Sequence, residues 1–98
     1  MTVEEFKEQG PEGMEAASLS LRALWSDYKG DWNAAHDLLQ DDMTPDGSWV
    51  HAYLHRKEGD DANAGYWYRR AGKSAATGTL DSEWERIVHE LLADQPGK

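Results

Sequence analysis

Ninety-eight residues make one domain with room for a single modest core, and a hydrophobic content of 39% is low for that purpose. Five Trp and four Tyr raise the quality of that core, because each buried ring removes roughly 150–250 Å² from water. The absence of Cys excludes disulfides, thiolate metal sites and cysteine nucleophiles, and a net charge of −9 argues against general nucleic-acid or anionic-membrane binding.

Thr2-Val3-Glu4-Glu5 has the spacing of a capping box and predicts a short helix over 3–9. Gln9-Gly10-Pro11-Glu12-Gly13 breaks it. From Met14 a helical period puts Met14, Ala17, Leu21, Leu24, Trp25 and Tyr28 on one face, ending at Lys29-Gly30. Asp31 is the predicted N-cap of the next helix, whose stripe is Trp32, Ala35, His36 and Leu39 and which stops before Pro45.

Asp46 is expected to cap a third helix, with Trp49, Val50, Tyr53 and Leu54 inward and a close at Glu58-Gly59. Asp60 then caps a fourth, with Ala64, Trp67, Tyr68 and Ala71 inward, up to Gly72. Lys73 to Gly78, with Thr79 beside it, reads as an ordinary loop, and Ser82-Glu83-Trp84-Glu85 repeats the capping-box spacing. Trp84, Ile87, Val88, Leu91 and Leu92 form the strongest stripe, in a C-terminal helix over 80–94, before a frayed tail from Gln95 to Lys98.

No segment alternates with period two, so strands are not expected. The fold class is therefore all-α: five to six helices in a single domain over 1–98, with helical hairpins over 14–71 and capping helices around them. No apolar run approaches the ~18 residues a span requires, and the acidic N-terminus has no signal pattern, so a cytoplasmic protein without membrane contact is expected.

Laying Gly30-Asp31 on Gly59-Asp60 reveals a doubled unit of helix, Gly-Asp turn and helix. Leu24 then matches Tyr53, Trp25 matches Leu54, Ala35 matches Ala64, Leu38 matches Trp67 and Leu39 matches Tyr68. The run Ala64-Gly65-Tyr66-Trp67-Tyr68-Arg69-Arg70-Ala71 resembles the second helix of tetratricopeptide and Sel-type repeats. The chain also resembles a group of small bacterial proteins that share three stretches, here Gly30 to His36, His51 to Asp60 and Tyr66 to Tyr68. That second resemblance implies no activity and no catalytic residues. Helical-repeat architecture implies docking of a protein or peptide.

Charge is unevenly spread. Residues 1–50 hold 3 bases against 11 acids, whereas residues 51–73 hold 5 bases against 3 acids. The locally basic stretch is also the most aromatic, and carries the candidate chemistry. His51, His55 and Glu58 share one helical face at ligand spacing, opposite Trp49, Val50, Tyr53 and Leu54. A solvated polar face is the favoured reading of that set, with a metal site as the alternative.

His36, on its apolar stripe, reads as a hydrogen-bonded core residue that could instead grip a ligand. Asn63, Tyr66, Arg69 and Arg70 face outward on the fourth helix, either paired with acids such as Asp41, Asp42 and Asp46 or ready to take a carboxylate or phosphate. The Trp residues are expected in the core, with Trp32 and Trp49 the more exposed. No nucleophile elbow or phosphate loop is present. The favoured function is a non-enzymatic protein- or peptide-interaction module, compatible with a homodimer and without a cofactor. The alternative is an anion-, small-molecule- or metal-binding protein using the His/Arg/Tyr surface.

Overall fold

A computed structural model describes residues 1–94, and among them six α-helices and one 3-10 turn form, with no strand. They are α1 (Val3–Lys7), the 3-10 turn (Pro11–Met14), α2 (Leu19–Tyr28), α3 (Trp32–Leu38), α4 (Pro45–Lys57), α5 (Asp61–Ala71) and α6 (Leu80–Ala93). The expected tail from Gln95 to Lys98 lies outside the described residues.

Helix starts follow their capping chemistry. The Thr2/Glu5 capping box is complete, although α1 closes at Lys7. Asp31 and Asp60 accept the N–H of Ala34 and Asn63, as their positions predict. Three expectations are corrected. Thr44, not Asp46, caps α4, and Pro45 takes the first turn, where its missing N–H costs nothing. Thr79, expected in an ordinary loop, caps α6 by accepting from Ser82 N–H, which displaces the expected cap at Ser82. The helix expected from Met14 is two pieces, because Ser18 accepts from Leu21 N–H and restarts the backbone there. Met14 stays buried all the same, so the apolar period located the core and not the helix start.

The two Gly-Asp turns are built alike. Gly30 and Gly59 have φ of +95° and +88°, a region that favours glycine. Asp31 N–H donates to Ser26 O and Asp60 N–H to His55 O, both at 2.9 Å. These turns fold α2 against α3 and α4 against α5, while α3 and α4 touch far less. Residues at four of the five matched pairs share their burial: Leu24 with Tyr53, Ala35 with Ala64 and Leu39 with Tyr68 are buried, and Leu38 with Trp67 are half-buried, whereas Trp25 is half-buried and its match Leu54 is fully buried.

Phe6, Leu24, Val50, Leu54, Ile87 and Val88 are fully buried where α1, α2, α4 and α6 meet. Trp84 Nε1–H donates to Leu24 O at 3.0 Å and ties α6 to α2. Trp49 is buried as well, 5% exposed with the Lys73 ammonium 4.1 Å from its ring centre, so of the two Trp expected to be the more exposed only Trp32 is half-buried, and Trp25 and Trp67 are half-buried with it.

Two buried carboxylates, not singled out by the sequence reading, tie the helices together. Asp27 of α2 receives Tyr53 Oη–H at 3.2 Å and Lys57 Nζ at 2.9 Å. Glu83 of α6 receives Arg56 at 2.9 Å and the Tyr68 hydroxyl. Each charge is paired and hydrogen-bonded, as a buried carboxylate requires.

Candidate metal centre

Every residue of α4 from Gly47 to His55 is buried, because α2 and α6 cover one side while α3 and α5 cover others. The wheel therefore misjudged the His51/His55 face. It is not solvated: His51 is 3% and His55 7% exposed. Glu58, at the C-cap, is the exposed member of the expected trio. A histidine pair on a covered face must find partners within the protein, and here they are aromatic rings together with the Glu58 carboxylate.

Trp32 opens α3 and its Nε1–H donates to Leu54 O at 2.9 Å, which pins α3 across α4. Four residues on, His36 stacks on Trp32 with ring centres 5.0 Å apart and a 12° interplanar angle. That places His36 Nε2 3.1 Å from His51 Nε2. His51 and His55, one turn apart on α4, lie parallel at 5.3 Å, and the His36 and His55 ring centres are 5.2 Å apart. Trp67 of α5 stacks on His51 at 4.0 Å and 9°. One donor nitrogen from each of His36, His51 and His55 lies within 4.8 Å of the others.

The electrostatics hold His51 neutral. Burial first, and then the neighbouring His36 and His55 rings, bring the His51 pKa down to about 4, with the Asp42 carboxylate partly offsetting them. Neutral imidazole is the form that ligates metal ions. His51 Nδ1 is buried and has no hydrogen-bond partner among the described residues. A buried nitrogen left this way costs about 1–3 kcal/mol.

Glu58 takes a different place from the one expected. Its Oε2 lies 2.7 Å from His55 Nδ1, behind the ring, where a carboxylate orients an imidazole and leaves Nε2 to face the other two histidines. The candidate ligand set is thus His36, His51 and His55, with Glu58 placed to orient His55. Asp60 also converges on His55 and Glu58, but it is the N-cap of α5 and accepts from Asn63 N and Nδ2 at 3.2 Å each.

The remaining candidates lie apart from the histidines. Asn63, Tyr66, Arg69 and Arg70 are exposed along the outer face of α5. Arg70 lies over the Tyr66 and Trp67 rings at 5.9 and 5.8 Å, and among the described residues neither Arg69 nor Arg70 forms an ion pair. The expected pairing with Asp41, Asp42 or Asp46 is therefore absent there. Asp42 instead accepts Thr44 N–H and Oγ–H and sits so close over Gly47 that a Cβ would meet its Cγ at 2.5 Å. The sequence reading missed Trp67 and Asp42 as neighbours of His51. Their four-residue spacing linked Trp32 to His36 and His51 to His55, but nothing in the chain order linked α3 to α4. No protein-family model matches the chain, and no curated protein or solved structure matches it either.

Proposed function

We propose that this protein binds a divalent transition-metal ion of the zinc class through His36, His51 and His55, with Glu58 orienting His55. The observation that carries this reading is the convergence of three ring nitrogens from two helices, within 4.8 Å of one another, in a box of aromatic rings where His51 and His55 are buried. Three imidazoles suit zinc and its neighbours in the first transition row. Zn–N bonds of about 2.0–2.1 Å at tetrahedral angles put ligand nitrogens about 3.3 Å apart. The 3.1 Å between His36 and His51 is near that spacing.

Calorimetric titration of chelator-treated protein with Zn²⁺ tests it. One ion per chain is expected, with His36→Ala removing binding and Glu58→Gln weakening it by about 10–100-fold. Heat that fits no single site, or that is unchanged in His36→Ala, would sink the reading. His36 is half-buried, so its loss spares the core.

A second reading, the protein- or peptide-interaction module with or without self-pairing, is supported by the outer face of α5. There Tyr66 is 45% exposed with the Arg70 guanidinium over its ring, and neither Arg69 nor Arg70 forms an ion pair among the described residues. Sedimentation and affinity capture with wild type against a Tyr66→Ala/Arg70→Ala variant separate it from metal binding. A partner or dimer lost in that variant supports it, and an unaffected monomer in both rejects it.

A further inference from the structure

We infer, on the strength of the metal-binding reading above, that an ion held by His36, His51 and His55 keeps one coordination position for an exchangeable small anion from solution, an oxygen or nitrogen donor such as hydroxide or a carboxylate. A closed structural site draws its fourth ligand from the chain, and an open one does not. Among the described residues, each nearby side chain that could close the site is held elsewhere or lies outside the converging donors.

The chain has no Cys. Glu58 sits behind His55 at 2.7 Å from Nδ1, and Asp60 caps α5 through Asn63. Asp42 is the acid that acts on His51 from a distance. Its Oδ1 is gripped by Thr44 N–H at 2.9 Å and Thr44 Oγ–H at 2.6 Å, and it is not among the donors that converge with the histidines. The flanking rings offer nothing either. Trp32 has spent its N–H on Leu54 O, and an indole has no lone pair for a metal.

Three neutral imidazoles leave both positive charges of the ion uncompensated. They do so beside two indoles, where solvent screening is weak, so an anion is drawn to the open position. A water bound there ionises near pH ~7 in three-histidine zinc sites. Of the three ligands His36 alone is half-buried, so exchange proceeds past its edge, and the Trp32 and Trp67 rings admit only small ligands.

Cobalt(II) makes the position visible. The chelator-treated protein is loaded with Co²⁺ and its visible d–d bands are followed while sodium azide, then sodium acetate, is added. A saturable shift of the bands with each anion, retained in Asp42→Asn, is the expected result. Bands that ignore both anions overturn the inference while leaving the metal site standing. Bands that respond only once Asp42 is changed overturn it too, because Asp42 would then be the fourth ligand. Failure of the metal reading is distinct: no d–d bands develop at all, and both conclusions fall.

Discussion

His51 is a histidine that the fold prevents from charging. Its pKa of about 4, depressed by burial first and by two neighbouring rings second, lies below the 6.5 of the unfolded chain. Between those values the unfolded state binds a proton that the folded state refuses, so stability rises with pH across that window. The metal-free protein is expected to hold this contribution above pH 6.5 and to lose it as the pH falls towards 4, by up to about 3 kcal/mol for 2.5 units. Urea midpoints measured at pH 7 and pH 5 check this. His51→Phe, which keeps a flat ring against Trp67, should flatten the difference, and an unchanged slope in that variant would assign the effect to another group. His51 also shows what sequence could and could not give. Its partnership with His55 follows from four-residue spacing, whereas its burial follows from α3 and α5 lying over it.

At the scale of elements, α4 is the axle, and its polar residues are spent on holding other helices. Arg56 reaches from α4 to Glu83 of α6 and also donates to Gly78 O, while Tyr68 of α5 donates to the other Glu83 oxygen. Burial first, and then Glu83 itself, raise the Tyr68 pKa, so the phenol stays a donor. Arg56→Met strands a carboxylate that is 5% exposed with a single phenol for company. Breaking a buried pair from one side costs about 3 kcal/mol, while replacing both partners with apolar groups costs less. Chemical unfolding should therefore show Arg56→Met less stable than Arg56→Met/Glu83→Leu, and the reverse order would remove Glu83 from the tie. Such ties were not legible beforehand, because nineteen acids and ten bases offer too many pairings until the helices are placed. Caps were better read: Asp31 and Asp60 follow Gly in a fixed local pattern, whereas Thr44 and Thr79 won over Asp46 and Ser82 by standing three residues ahead of free amides.

For the molecule as a whole, the doubled hairpin leaves one seam. Local turns and broad contacts bind α2 to α3 and α4 to α5, and these were legible from the Gly-Asp repeats. The crossing of α3 over α4 was not, since it depends on a packing angle, and it rests on the Trp32–Leu54 hydrogen bond and the ring contacts of His36. An ion ligated by His36 from one hairpin and by His51 and His55 from the other bridges that seam. Binding to the folded state alone stabilises by about 2.7 kcal/mol when free ion is 100 times Kd. For a domain of this size each kcal/mol moves Tm by about 4–8 °C. Saturating Zn²⁺ is thus expected to raise Tm by roughly 10–20 °C, and to slow amide exchange in α3 more than in α1 or α6. His36→Ala should abolish both effects, each measured against the same variant without metal, whose own Tm falls by what the lost ring contacts contribute. A rise in Tm that survives in His36→Ala would place the ion elsewhere. Protection spread evenly over all six helices would mean that α3 has no separate opening for an ion to close.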